Sequence, residues 1–173
     1  KEYRRQRQMC IRDRATGFDA MTGALTSIDI TGRDGAKLKD QWESGAKSYL
    51  GLGIANFPNL FTVTGPGSPS VLSNMMPSIE QHVNWITDCI EWMNANDKKV
   101  IESSKTAEDD WMVLVNEIAD MTIFTDTKSW YNGSNIEDKA KAFLPFIGVP
   151  VYTEMLEQIV AEDYKGFIFD RVN

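Results

Sequence analysis

Residues 65–96 read GPGSPSVLSNMMPSIEQHVNWITDCIEWMNAN, and this stretch carries the strongest structural signal in the chain. It opens with a proline–glycine turn. Pro77 follows at the expected start of a helix, where proline is common in the first turn. Apolar side chains follow every three or four residues, as on one face of an α-helix. They are Ile79, Val83, Ile86, Ile90 and Met93, with Trp85, Cys89 and Trp92 in a second stripe beside them. The pattern predicts a helix over residues 77–96 that packs against a larger body.

Shorter patterns lie on both sides of this helix. Alternating apolar residues predict a strand pair at 24–31, and the run LFTVT between breakers predicts a buried strand at 60–64. Thr106 is a good N-cap for a second helix, whose first turn would hold residues 108–110 (EDD) in solvent. A third amphipathic helix is expected over residues 153–163. The expected fold class is therefore α/β, with short strands followed by a mainly helical half.

Composition restricts the class of protein. The 173 residues are 42% apolar and 25% charged, as in one globular domain, and contain no apolar run long enough to span a membrane. The net charge is −7, although residues 1–14 hold six basic and two acidic side chains. The acidic remainder argues against a nucleic-acid surface, because it would repel phosphate. We interpret residues 1–14, which have no structural period, as a non-native leader, and residues 15–173 as the domain.

Cysteine and histidine usage restricts the chemistry. The two cysteines, Cys10 and Cys89, do not indicate a disulfide framework, so a reduced, cytoplasmic protein is expected. The one histidine, His82, is expected on a helix surface, which argues against a catalytic triad. One histidine and two distant thiols also cannot supply a zinc site of ordinary spacing. No catalytic residue and no metal ligand is predicted from the residues themselves.

Two glycine pairs, Gly51-x-Gly53 and Gly65-x-Gly67, suggest phosphate-binding loops but extend to neither GxGxxG nor GxxxxGK[ST]. We interpret them as turn glycines, which can adopt backbone angles closed to other residues. The residue patterns alone therefore give no self-contained active site.

Seven short segments carry a further signal through their order and spacing. They are ATGFD at 15–19, YLG at 49–51, NFPNLF at 56–61, GPGSPSVLSNM at 65–75, SIEQHVNW at 78–85, VNEIAD at 115–120 and SWYNGSN at 129–135. Together they resemble the C-terminal part of the Baeyer–Villiger monooxygenases, a class of flavoprotein monooxygenases. The fourth and seventh segments, taken as a pair, are the specific part of the resemblance.

The resemblance implies a flavoprotein with two dinucleotide-binding domains, which uses FAD and NADPH to insert one oxygen atom of O2 into a ketone. The product is an ester or a lactone. In this family the dinucleotide fingerprints and the catalytic arginine lie upstream of the matching segments. We therefore expect the chain to be a C-terminal fragment that is inactive alone and pairs with the upstream part of its own enzyme.

The resemblance also assigns site residues. Met75 matches a methionine beside the flavin that also lines the substrate pocket, and residues Ser70, Val71 and Leu72 match the loop that shapes this pocket. Trp130 matches a tryptophan that contacts NADP(H). The turn residues Thr16 and Gly17 match backbone close to the bound nucleotides.

Two alternatives remain open at this point. An N- or S-oxygenating flavin monooxygenase shares the ATG turn at residues 15–17, and a substrate comparison between ketone and amine separates the two. A helical interaction module without a cofactor is the alternative from a different class, since its amphipathic helices need no active site.

Overall fold

The computed structural model describes residues 19–69, 74–129, 132–134, 136–137, 140–142 and 147–170. Among them lie five α-helices and two β-strands, which confirm the α/β class. The elements are α1 (Gly23–Thr26), α2 (Leu38–Gln41), α3 (Met75–Ala95), β1 (Val100–Ser103), α4 (Lys105–Asp120), α5 (Val149–Ala161) and β2 (Phe167–Asp170). Within these described ranges, no helix has the length and apolarity needed to cross a bilayer.

Helix α3 confirms the strongest sequence prediction but begins two residues before Pro77. The cause is Asn74, whose side-chain oxygen accepts a hydrogen bond from the backbone N–H of Met76 at 3.1 Å. This side chain caps an N–H group that has no partner within the helix. The helix ends at Ala95, and Asp97 then adopts a left-handed backbone with φ +53°.

Helix α3 does not bury both of its apolar stripes against the body. Val83 is 47% exposed and Ile90 is 45% exposed. The buried side chains are Ser78, His82, Trp85, Cys89 and Met93. Periodicity showed two adjacent stripes, and the large indole of Trp85 rather than the aliphatic stripe determines which one is turned inward. The prediction that His82 lies on a helix surface is wrong, since the side chain is 1% exposed.

The other two long helices have shifted starts. Helix α4 takes Ser104 as its N-cap instead of Thr106, and the Ser104 hydroxyl accepts from the N–H of Ala107 at 3.2 Å. Helix α5 begins at Val149, four residues before the predicted start, because Gly148 turns the chain with φ +78° and Pro150 suits the first turn.

The strand predictions were right only in part. Residues 23–26 form α1 instead of a strand, but Thr31 at the end of the predicted strand pair makes an antiparallel bridge to Lys37. The expected strand at 60–64 is reduced to one antiparallel bridge, between Phe61 and Gly53. The two-stranded sheet instead pairs β1 with β2, in antiparallel register from Val100 opposite Asp170 to Ser103 opposite Phe167. Strands of four residues carry little sequence signal, and pairing across about 70 residues leaves no local turn pattern to find.

One apolar segment, residues 49–57, joins two buried clusters. Its Leu50 and Leu52 are 0% exposed and belong to the larger cluster, which takes in Trp85 of α3, Trp111 of α4 and Tyr152 of α5. Its Ile54 and Phe57 belong to a smaller cluster. That cluster is completed by Leu38, Trp42, Ala46 and Ala142. This segment therefore shares one apolar core with the three long helices and links that core to the smaller cluster.

Candidate functional site

Residues 64–69, here called the anchored loop, lead directly toward the predicted pocket residues and are held by side chains from distant elements. The Ser48 hydroxyl donates to the carbonyl of Pro66 at 2.5 Å, and the indole N–H of Trp111 donates to the carbonyl of Gly67 at 3.0 Å. Backbone polar groups in a buried loop need such partners, because an unpaired one is costly away from water. Two carbonyl groups of the loop are thus bound by side chains from other parts of the chain.

His82 holds the start of this loop. Its Nδ1 accepts a hydrogen bond from the backbone N–H of Thr64 at 2.9 Å, which requires an unprotonated Nδ1. Nε2 then carries the ring proton and faces the hydroxyl of Tyr152 at 3.0 Å. That hydroxyl donates in turn to the carbonyl of Leu50 at 2.7 Å. Every polar atom of the imidazole and the phenol has a partner.

Burial sets the protonation states of this pair. Removal from water disfavours the charged imidazolium and lowers the pKa of His82 to about 4. Burial likewise raises the pKa of Tyr152 above its ordinary value. Both side chains are therefore neutral near pH 7, which is the state that the hydrogen bonds require.

The two glycine pairs serve close packing of the backbone. Gly51 has φ +74°, and a Cβ placed there would lie 2.5 Å from the Cβ of Ser68. A Cβ on Gly65 would lie 2.8 Å from the carbonyl oxygen of Gly51. Gly67 has φ +85°. The interpretation of Gly51 and Gly67 as turn glycines is confirmed, and the space beside Gly51 and Gly65 is filled by protein.

Met75 is the one predicted site residue that lies within the described ranges. It is the first residue of α3 and is 38% exposed, so its thioether is available for contact with a ligand or another domain. The pocket residues Ser70, Val71 and Leu72 lie outside the described residues. The predicted cofactor residues Thr16, Gly17 and Trp130 lie outside them as well.

The residues on both sides of position 130 form a hydrogen-bonded turn. Asn132 is 2% exposed, and its amide donates to the carbonyl of Thr127 at 3.1 Å. Its side-chain oxygen accepts from the N–H of Ser134 at 3.1 Å, and the Ser134 hydroxyl accepts from the N–H of Ser129 at 2.9 Å. From the sequence, this segment was used only for the family resemblance, and the buried asparagine that organises it was not identified.

Glu108 is a second buried polar group that sequence reasoning placed wrongly. It was expected in a solvated first turn, yet it is 0% exposed and accepts from the N–H of Ala55 at 3.0 Å through Oε1. Burial raises its pKa, and Oε2 has no partner. The signal was present, because Glu108 continues the buried helical stripe of Trp111, Val115 and Ala119.

The described residues contain no group of three histidine, cysteine, aspartate or glutamate side chains arranged to hold a metal ion. The described residues therefore supply three features of interest: the anchored loop, the exposed Met75 at the start of α3, and the hydrogen-bonded turn at Asn132.

Comparison with known proteins places these features in context. No protein-family model matches the chain. Acetone monooxygenase (methyl acetate-forming) of Gordonia sp. (strain TY-5) is 41% identical over 155 residues, which are 88% of this chain and 29% of that protein. A Baeyer–Villiger monooxygenase of Pseudooceanicola batsensis is 38% identical over 158 residues, which are 91% of this chain and 29% of that protein. The chain is homologous to part of the Baeyer–Villiger monooxygenases.

Solved structures agree with this assignment. Cyclohexanone monooxygenase from Rhodococcus sp. Phi1 bound to NADP+ matches with a TM-score of 0.86 at 38% identity, over 91% of this chain and 30% of that one. The OTEMO complex with FAD and NADP matches with a TM-score of 0.83 at 32% identity, over 90% of this chain and 29% of that one. The family resemblance is thus confirmed, and the chain spans about 30% of the length of the Baeyer–Villiger monooxygenases that it matches.

An N-oxygenating enzyme is among the relatives too. Phenazine N-monooxygenase PhzNO1 of Lysobacter antibioticus is 39% identical over 155 residues, which are 89% of this chain and 28% of that protein. Overall identity therefore does not separate carbon oxygenation from nitrogen oxygenation for this chain.

Proposed function

We propose that the chain is the C-terminal part of an FAD- and NADPH-dependent Baeyer–Villiger monooxygenase, which inserts one oxygen atom of O2 into a ketone to give an ester or lactone. The observation that carries the proposal is the combination of 41% identity over 155 residues with acetone monooxygenase and a TM-score of 0.86 to cyclohexanone monooxygenase. Similarity at this level favours an enzyme over a helical interaction module without a cofactor.

The described residues fit one part of a flavin site. Met75 offers a partly exposed apolar side chain at the start of a helix, which suits contact with a flat aromatic ring. The space beside Gly51 and Gly65 is filled by protein, and the sequence has no GxGxxG turn for a pyrophosphate. The chain therefore fits a role as one wall of the FAD and ketone site, with the phosphate-binding loops supplied by the upstream part of the enzyme.

When FAD is bound and reduced by NADPH, it supplies the chemistry that activates O2 for insertion into the ketone. The chain's own residues would orient the ketone and the nicotinamide cofactor and shield the site. The anchored loop, residues 64–69, gives the adjoining pocket residues Ser70, Val71 and Leu72 a fixed starting point. The Asn132 turn does the same for Trp130, whose indole N–H would donate to NADP(H). Thr16 and Gly17 would bring backbone close to the nucleotides.

Nitrogen oxygenation is the second candidate function, and one observation supports it. Phenazine N-monooxygenase is 39% identical to this chain, close to the identity of the ketone-oxidising relatives.

A cytoplasmic location is also proposed, supported by Cys89, which is a buried free thiol.

The test is a chimera in which this chain replaces the matching 155 residues of acetone monooxygenase. We expect the chimera to purify with FAD, to oxidise NADPH when a ketone is present, and to form the corresponding ester. Parallel incubations with phenazine and with a tertiary amine separate the second candidate from the first.

Met75 and Met76 give the chimera a matched pair of variants. They are neighbouring methionines in the first turn of α3, and Met76 is the more exposed at 63%. Substitution of Met75 by glycine should alter the relative rates across a ketone panel, whereas the same substitution of Met76 should not. A flavin-loaded chimera that converts phenazine but no ketone would replace the first candidate by the second.

A further inference from the structure

The one histidine of the chain and its tyrosine partner hold two turns of unusual backbone. Thr64 and Leu50 are not glycines, yet they have φ values of +51° and +62°. His82 accepts from the N–H of Thr64, and Tyr152 donates to the carbonyl of Leu50. Left-handed backbone at such residues persists where the surroundings hold it in place, and it clusters at functional sites.

A purely apolar pair could fill the same volume without any polar group to satisfy. Here the polar atoms of His82 and Tyr152 form hydrogen bonds with the backbone of the two turns and with each other. Trp111 extends the arrangement, since its ring lies 6.3 Å from that of Tyr152 and its N–H binds the carbonyl of Gly67. Helices α3 and α4 therefore bind the anchored loop directly, and α5 is linked to it through the contact between Tyr152 and His82.

The location of the pair relative to the proposed pocket gives it a function. Thr64 opens the anchored loop, and Met75 begins the helix that carries His82 about two turns later. A hydrogen bond from that helix to Thr64 therefore fixes the loop relative to Met75. This role takes Met75 as a pocket residue and therefore rests on the proposed function.

We propose that His82 and Tyr152 are positioning residues of the monooxygenase, which hold the anchored loop at a fixed place relative to Met75. Their contribution is to ketone placement rather than to bond making. Loss of the Thr64 contact would let the loop shift, so that the ketone is held less well when oxygen is activated. NADPH would then be oxidised without ester formation, and two electrons and two protons would reduce O2 to hydrogen peroxide.

The experiment uses the acetone monooxygenase chimera and two variants of His82. In His82→Asn the side-chain oxygen stands close to the former Nδ1 and can still accept from Thr64, whereas His82→Phe has no acceptor. We expect kcat/KM for the ketone to fall about tenfold in the Phe variant, as loss of about 1.4 kcal/mol of hydrogen bonding would cause. Ester formed per NADPH consumed should fall with it, and the Asn variant should recover most of both.

Two further variants separate positioning from stability. Tyr152→Phe removes one hydroxyl with little change of volume and should lower the ester-to-NADPH ratio in the same direction as His82→Phe. Met93→Ala truncates a side chain on the same buried face of α3 about three turns away, and should lower Tm without changing the ratio.

Each outcome decides the question. Recovery in His82→Asn, together with an unchanged ratio in Met93→Ala, supports the positioning role. Equal losses in the Asn and Phe variants, or losses that follow Tm across all variants, overturn it while the proposed function stands. A parent chimera that binds FAD but forms no ester removes the proposed function and this inference together.

Discussion

Acid should destabilise the folded chain through His82. Burial lowers the pKa of His82 to about 4, against about 6.5 for a histidine in an unfolded chain. Between these values the unfolded chain binds a proton that the folded chain does not, so the free energy of unfolding falls as the pH drops. At about 1.4 kcal/mol per pKa unit, the loss is about 3 kcal/mol by about pH 4. The stabilisation is fully present above about pH 6.5.

The measurement is urea unfolding of the chain and of His82→Asn at several pH values between about 7 and about 4. Other titrating groups affect both proteins equally, so the difference between the two free energies of unfolding isolates His82. Tyr152, the titratable side chain in contact with the ring, stays neutral throughout because burial raises its pKa. The difference should shift by about 3 kcal/mol in favour of His82→Asn as the pH falls. A difference that does not change with pH would refute the buried, neutral histidine.

Four further predictions concern the cofactors, the pocket and one buried carboxyl group. The purified 173-residue chain should be colourless and should not oxidise NADPH, because it has no dinucleotide fingerprint; a stoichiometric flavin spectrum would contradict this. In the chimera, Leu72→Ala should change ketone preference more than Tm, and a change in Tm alone would assign Leu72 to packing. Trp130→Ala should keep FAD but lose about tenfold to a hundredfold in NADPH-dependent turnover, equivalent to about 1–3 kcal/mol, and unchanged NADPH kinetics would remove this assignment. Glu108→Gln should keep the hydrogen bond to the N–H of Ala55 and reduce the pH dependence of the free energy of unfolding. The raised pKa of Glu108 means that wild-type stability falls as the pH rises above about 4.5, so urea unfolding at about pH 5 and about pH 8 should show a smaller change in the variant.

Helix α3 shows how far sequence periodicity can predict the fold. The 3.6-residue repeat located the helix to within two residues at either end, because Pro77 and the apolar spacing are local signals. Periodicity alone did not select between the two neighbouring stripes. That choice depends on partners outside the helix, since the ring of Trp85 packs against those of Tyr164 and Phe167. A repeat within α3 does not reveal these partners.

The candidate site, like α3, could be predicted from the sequence only in part. The segment GPGSPSVLSNM could be recognised from the sequence, and Met75 proved to be the partly exposed start of a helix. The side chains that anchor the segment could not be predicted, because Ser48, His82 and Trp111 reach the loop from 18 to 44 residues away. His82 and Glu108 were assigned to the surface since isolated polar residues on helices usually lie there. Their burial depends on backbone partners that a helical pattern does not reveal.

We propose that this chain forms part of an enzyme that transfers one oxygen atom from O2 to a ketone. This activity can be tested by supplying the acetone monooxygenase chimera with NADPH, a ketone and ¹⁸O-labelled O2, and by analysing the product by mass spectrometry. Each ester molecule should contain one ¹⁸O atom, and one NADPH should be oxidised per ester. Ester without ¹⁸O, or NADPH oxidation that yields no oxygenated ketone from a flavin-loaded chimera, would contradict it.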